Sequence, residues 1–284
     1  MSNKRRIIRE LITLPRPQLF PIPASAGMCG LALSSSSINF HEISNAIIIP
    51  ILIWCGGQVL NDLFDSEFDK IYHPEWPIPS GLINKNLAFV YAMIFYMAGF
   101  LVAFYINIYC LITTAVAAFF ATVYNQLKRR GIYGNICFGL AVASCVLIGT
   151  AINKAISMLI LLVIFISSLV HMSDNILGTF PDIEADKKIG FQTLPIQIGP
   201  EYSAIISFVL FSLASLLTLL LWRVGLSIFY LPLATVAIVS ILWTSFLVLK
   251  DPMKFCRLEG FWIVYSLFMG EILLYTSLIV GSCI

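Results

Sequence analysis

The sequence predicts an all-α polytopic membrane protein with nine transmembrane helices. Three observations point there. Of 284 residues, 59% are hydrophobic and 11% charged, and the mean hydropathy is +0.92. Soluble domains carry roughly 25% charged and 45–50% apolar residues, so a bilayer is the solvent this composition suits. The apolar residues also fall in long unbroken runs, whereas a membrane barrel shows short alternating segments. Lysine and arginine, finally, are confined almost wholly to alternate loops.

Each element follows in order. The head "MSNKRRIIRELITL" reads as an amphipathic lead-in helix. A cleaved signal peptide fits less well, because Arg16 and Pro15, Pro17, Pro21 and Pro23 break its apolar part. Nine stretches of about 18 residues or more then follow, each enough for a ~30 Å hydrocarbon core. They cover residues 18–37, 43–62, 87–107, 109–128, 133–152, 155–178, 202–222, 226–249 and 261–282. Backbone groups in lipid must pair within their own segment, which makes each stretch a helix. With this count, all but Lys154 and Arg223 of the 17 Lys and Arg residues lie on one side. The positive-inside rule puts that side, and the N-terminus, in the cytoplasm and the C-terminus opposite. The serines at 34–37 then form an outer turn. The seven cysteines show no paired spacing and read as small buried hydrophobes.

Two cytoplasmic loops, 61–86 and 174–200, are the longest and most polar. Four spans separate them, and each begins with acids at a helix end, as in a rough duplication. The first opens with "NDLFDSEFDK". On a helix, Asn61, Asp65 and Asp69 stand at i, i+4 and i+8, and Asp62 shares their face. In the second, Asp182 and Asp186 are again four apart, with Asp174 eight positions upstream. Two carboxylates about 4 Å apart repel by ~4 kcal/mol at an effective dielectric of 20. A cation between them removes that cost. Oxygen ligands without a His or Cys cluster select Mg²⁺ or Ca²⁺, and Mg²⁺ completes its shell with water and substrate phosphates. The alternative is that both clusters are solvated helix ends. Tyr124 and Lys128 lie one turn apart on span four, where the lysine would face a diphosphate. Arg129 and Arg130 read as topology anchors.

These residues resemble the UbiA superfamily of intramembrane prenyltransferases. Its NDxxDxxxD signature is matched by Asn61, Asp62, Asp65 and Asp69, and its PIPSG by residues 77–81. Its second DxxxD is matched by Asp182 and Asp186, followed by Lys187 and Gly190. Its YxxxK is matched by Tyr124 and Lys128, its later Gly-Asn pair by Gly134 and Asn135, and its Arg-Pro pair by Arg16 and Pro17. The wording "PDIEADKKIGFQTLPIQIG" is similar to branches acting on homogentisate and on archaeal lipid precursors. The resemblance implies one domain over residues 1–284, with nine helices around a central cavity capped by the two cytoplasmic loops. It implies that Asn61, Asp62, Asp65, Asp69, Asp182 and Asp186 hold Mg²⁺ and that Tyr124, Lys128, Asn61 and Arg16 contact a polyprenyl diphosphate. It departs from many members at Trp76, where they carry Arg, at Ala185, where they carry Gly, and at Asp174 and Thr179, where some branches carry other charged residues.

The implied activity is Mg²⁺-assisted ionisation of the diphosphate and transfer of the prenyl group to a lipophilic acceptor, aromatic or alcohol, in contact with membrane lipid. Asp65, Asp69, Lys128 and Asp182 are the expected catalytic residues, and no nucleic acid is an expected partner. A terpene cyclase would carry the same metal motifs. A transporter would place its ionisable residues near the bilayer midplane. Here the acids lie at cytoplasmic helix ends and only Glu271 falls in the interior of a span, where it reads as a satisfied polar contact between helices. His171 reads as an interhelical hydrogen bond, and His41 and His73 as loop residues.

Overall fold

A computed structural model describes residues 3–35, 37–255 and 260–283. Ser36 of the outer serine turn and Cys256, Arg257 and Glu259 lie outside the described residues. Among the described residues thirteen α-helices follow one another: α1 (Asn3–Thr13), α2 (Pro21–Ser34), α3 (Phe40–Tyr72), α4 (Lys85–Ile106), α5 (Ile108–Leu127), α6 (Ile132–Ile152), α7 (Met158–Gly178), α8 (Ile183–Ile189), α9 (Leu194–Ile198), α10 (Pro200–Leu219), α11 (Leu231–Lys250), α12 (Pro252–Phe255) and α13 (Gly260–Ser282).

Eight of them are long and apolar enough to cross a membrane: α3–α7, α10, α11 and α13. The ninth expected span is α2. It has 14 residues, about 21 Å at the α-helical rise. Pro21 and Pro23 start it at positions where the missing N–H costs little, after a 3₁₀ turn over Pro17–Leu19. Its position rests on glycine. A Cβ on Gly30 would strike the Val146 carbonyl of α6, and one on Gly149 the Gly27 carbonyl of α2. The backbones therefore touch, as small-residue crossings in lipid allow. Ala26, Cys29 and Leu31 of α2 are fully buried.

The longest helix, α3, has 33 residues and spans about 50 Å. Asn39 starts it with a reciprocal capping box: Glu42 N–H donates to Asn39 Oδ1 and Asn39 N–H to Glu42 Oε2, each at 3.0 Å. Asn84, Asn107 and Ser157 cap α4, α5 and α7 with a single bond each, accepting the N–H of Leu87, Cys110 and Ile160. α3 does not stop where its hydropathy falls, near residue 62. It continues to Tyr72 and ends at His73, whose α conformation Pro74 disfavours. The expected loop 61–86 thus begins only at 73, and the acidic stretch is helical. The second expected loop contains two short helices, α8 and α9. It is tied to the end of α5 by Gln192 N–H, which donates to the Arg129 carbonyl at 3.1 Å.

The buried side chains form two main clusters. One joins α3, α4 and α5 around Ile49, Val59, Ala92 and Ala117. The other joins α7, α10, α11 and α13 around Ile166, Phe211, Ala237 and Leu278. α6 runs between them and contributes to both through Ile148 and Val146.

The glycine crossing predicts that Gly149→Leu lowers the melting temperature of the detergent-solubilised protein, since overpacking costs ~1–3 kcal/mol. Gly178→Ala, at a glycine with open space around its Cβ position, leaves it nearly unchanged.

Candidate active site

The polar end of α3 carries Asn61, Asp62, Asp65 and Asp69 into one cavity. Each aspartate meets a different environment there. Asp62 accepts from Arg16 Nη2 at 2.7 Å. Arg16 takes φ 56°, the left-handed region that few non-glycine residues adopt, between Pro15 and Pro17. The strained backbone turns its guanidinium back onto α3.

Asp65 is held twice. Lys128 Nζ pairs with its Oδ2, and Arg129 Nη2 reaches its Oδ1 at 2.8 Å. Lys128 also donates to Asn61 Oδ1 at 3.1 Å. Gly134 sets this corner: a Cβ there would collide with Leu127 and Lys128 backbone, so α6 starts directly against the end of α5. The Arg129 guanidinium lies over the rings of Phe68 and Phe191, at 3.9 and 4.3 Å from their centroids. Arg129, expected to be a topology anchor, is therefore part of the site, whereas Arg130 is exposed.

Asp69, Asp182 and Asp186 complete the acidic wall. Among the described residues no basic side chain lies within ion-pair distance of any of the three. Asp182 stands just before α8 at the exposed rim, and Asp186 follows one turn later. Burial, then the charges of Asp182 and Asp65, push the Asp186 carboxyl up to about 7. The cavity measures about 400 Å³. Six aspartates line it, with only Arg16, Lys128 and Arg129 as permanent cations. Asp69, Asp182 and Asp186, all-oxygen donors around one cavity, fit a hard divalent cation.

Sequence reasoning missed Asn175. It donates to Tyr124 Oη at 3.1 Å and accepts from Asn135 Nδ2 at 2.9 Å, fixing the tyrosine across α5, α6 and α7. Its only sequence signal is an amide at the polar end of an apolar helix. Trp76, the departure from the resemblance, lines the mouth and stacks on His73 at 4.1 Å. Asp174 lies on α7 in the same wall, away from the α8 pair. Behind the mouth an apolar chamber opens, lined by Ile53, Trp54, Gly57, Phe138 and Val142. Asn61 and Tyr124 line both spaces.

Two expectations within the bundle come out differently. His171 does form an interhelical contact, Nε2 to Tyr275 Oη at 3.0 Å. Glu271, expected to be satisfied, is not: both carboxylate oxygens are buried without a hydrogen-bond partner. Tyr275, one turn along the same helix, turns its hydroxyl to Ser167 and His171 instead, and across the bundle His171 Nδ1 lies 3.3 Å from Glu271 Oε1.

Comparison with known proteins gives the family and the fold. Residues 20–262 match the UbiA prenyltransferase family. The digeranylgeranylglyceryl phosphate synthase of Pyrococcus furiosus is 30% identical over 273 residues, covering 93% of this chain and 98% of its own. That of Pyrococcus abyssi is 28% identical over the same shares. A solved structure of digeranylgeranylglyceryl phosphate synthase superposes with a TM-score of 0.76 at 27% identity, covering 98% of this chain and 99% of its own. A UbiA homolog from Archaeoglobus fulgidus bound to DMAPP and Mg²⁺ shares the fold, with a TM-score of 0.79 at 17% identity, covering 97% and 99%. The family match spans most of the chain, and the protein belongs to the UbiA prenyltransferase family.

Proposed function

We propose that this UbiA-family prenyltransferase moves an isoprenyl group from a polyprenyl diphosphate, held with Mg²⁺ at the acidic mouth, to a lipophilic acceptor. One observation carries the reading: a mouth with unpaired carboxylates opens into an apolar chamber through shared residues. A diphosphate with a hydrocarbon tail has that same division of polarity. The name of the Pyrococcus relatives, digeranylgeranylglyceryl phosphate synthase, favours an alcohol acceptor of the glycerophosphate type over an aromatic one.

In this scheme Asn61, Asp62, Asp65, Asp69, Asp182 and Asp186 are the Mg²⁺ ligands, directly or through water. When bound, Mg²⁺ supplies Lewis-acid charge to the departing diphosphate. Lys128, Arg129 and Arg16 neutralise the same group from fixed positions. Tyr124, held by Asn175, orients it. The rings of Tyr124, Phe138 and Trp54 shield the allylic cation left behind, and the apolar chamber keeps water from quenching it. The acceptor hydroxyl captures the cation and gives up its proton, and Asp69, unpaired on α3, is the proposed base. The 1–284 chain acts as one domain, its N-terminus and acidic mouth in the cytoplasm, as the one-sided Lys and Arg distribution supports.

Asp65→Ala and Asp182→Ala should each reduce Mg²⁺-dependent product formation by at least about a hundredfold while the protein still inserts and folds. Mass spectrometry of membranes given a series of prenyl diphosphates, with and without glycerophosphate-type and aromatic acceptors, reads this directly. Joined product forms only with acceptor present. A hydrocarbon released from the diphosphate alone would identify a cyclase instead.

The raised Asp186 carboxyl sets a pH dependence. Below about 7 it holds a proton that competes with the metal. The Mg²⁺ concentration for half-maximal turnover should therefore rise as pH falls from about 8 to about 6. Asp186→Asn should flatten that rise at the cost of a weaker overall Mg²⁺ dependence.

A further inference from the structure

We propose that His171, Asp174 and Glu271 form a second divalent-cation site, which uses none of the proposed Mg²⁺ ligands, borders the acidic mouth through Asp174, and suits a transition metal such as Zn²⁺. α7 presents His171 and Asp174 three positions apart on one face, and α13 brings Glu271 against them. One ligand atom from each lies within 4.8 Å of the other two. Atoms bound to a common zinc at ~2.0–2.2 Å stand roughly 3–4.4 Å apart, so small side-chain adjustments close the set.

The buried polar atoms are what point to a ligand. His171 and Glu271 are each 1% exposed. Both Glu271 oxygens and His171 Nδ1 have no hydrogen-bond partner, and all three atoms are fully enclosed. An unsatisfied buried polar atom costs ~1–3 kcal/mol, and more when charged. His171 Nδ1 and Glu271 Oε1 are 3.3 Å apart yet not aligned as donor and acceptor. Among the described residues no lysine or arginine pairs with Asp174 or Glu271. Two facing carboxylates without a fixed cation carry the charge that one divalent ion neutralises.

The surroundings orient the ring as a metal ligand requires. His171 Nε2 is engaged by Tyr275 Oη at 3.0 Å, and Tyr275 is in turn bonded to Ser167. The other nitrogen is thereby turned towards the carboxylates, the arrangement that fixes ligand histidines elsewhere. An imidazole beside carboxylates suits zinc, manganese or iron, whereas the all-oxygen mouth suits magnesium. Three protein ligands leave a further position, and Asp174, which also lines the cavity, sets it facing that wall.

Metal content tests the site without reference to turnover, so it can fail while the prenyltransferase reading stands. The full-length protein in detergent is loaded with Zn²⁺ under excess Mg²⁺, desalted and analysed by elemental mass spectrometry. One zinc per chain is expected. It should be retained in Asp182→Asn and bound at least about tenfold more weakly in His171→Ala and Glu271→Gln. Zinc near zero in the wild-type protein overturns the proposal. So does zinc unchanged in both variants, or lost on Asp182→Asn alone. Should either variant fail to fold, X-ray absorption at the zinc edge of the wild-type protein decides: an imidazole shell supports the site, and an all-oxygen shell refutes it.

Discussion

Asp65 is the carboxylate on which the cytoplasmic end of the molecule depends. Lys128 and Arg129 both close on it, and with Asn61 and Phe68 beside it this ties the end of α3 to the end of α5. The pairing is uneven by construction. Among the described residues Asp62 has Arg16, Asp65 has two cations, and Asp69, Asp182 and Asp186 have none. The paired acids fix backbone positions. The unpaired ones stay poorly screened at the edge of a low-dielectric bundle, where neighbouring carboxylates repel by several kcal/mol (~4 at 4 Å and an effective dielectric of 20). The cavity is thus built to be completed by a cation. A fully paired acidic wall would have been more stable and would have had nothing to offer a ligand.

The same corner depends on packing that has no charge. Gly134 lets α6 begin on the backbone of Lys128, which aims the lysine at Asn61 and Asp65. Tyr124, one turn back, packs against Phe138 at 5.2 Å and is held at its hydroxyl by Asn175. One residue therefore belongs to the polar mouth at one end and to the apolar chamber at the other. The boundary between them is a side chain rather than a loop, and this keeps the reacting position of a bound substrate on helices that cannot shift independently.

Much of this is written in the linear sequence, because it is local. Long apolar runs define the spans, and i, i+4, i+8 spacing places three α3 side chains on one face whatever the surroundings. What depends on contact between distant segments is not written there. Hydropathy falls at residue 62, yet α3 runs on to Tyr72, because a helix leaving the membrane changes polarity without changing backbone. In "KRR" the three basic residues look alike. The turn after α5 separates them: Lys128 points to Asn61 and Asp65, Arg129 lies between Phe68 and Phe191, and Arg130 faces out. The phenylalanines that sort them come from α3 and from the segment after α8. The first span, expected over residues 18–37, is the 14-residue α2, held by the Gly30 and Gly149 contacts that no local pattern shows.

Glu271 shows the same limit in its sharpest form. A lone acid in an apolar run looks satisfiable by any passing donor. The side chains brought to it are instead a histidine, whose other nitrogen is already engaged, and a second carboxylate. A basic side chain at position 174 would have neutralised Glu271 with a fixed charge. Asp174 adds to the deficit instead. Position 174 is also where the sequence departs from some branches of its family, and the departure falls on the one wall residue shared by the cavity and the buried cluster. The fixed-charge solution used around Asp65 is thus absent on α7 and α13. In a medium where unpaired carboxylates are costly, what remains is a mobile cation with the coordination preferences of nitrogen and oxygen together.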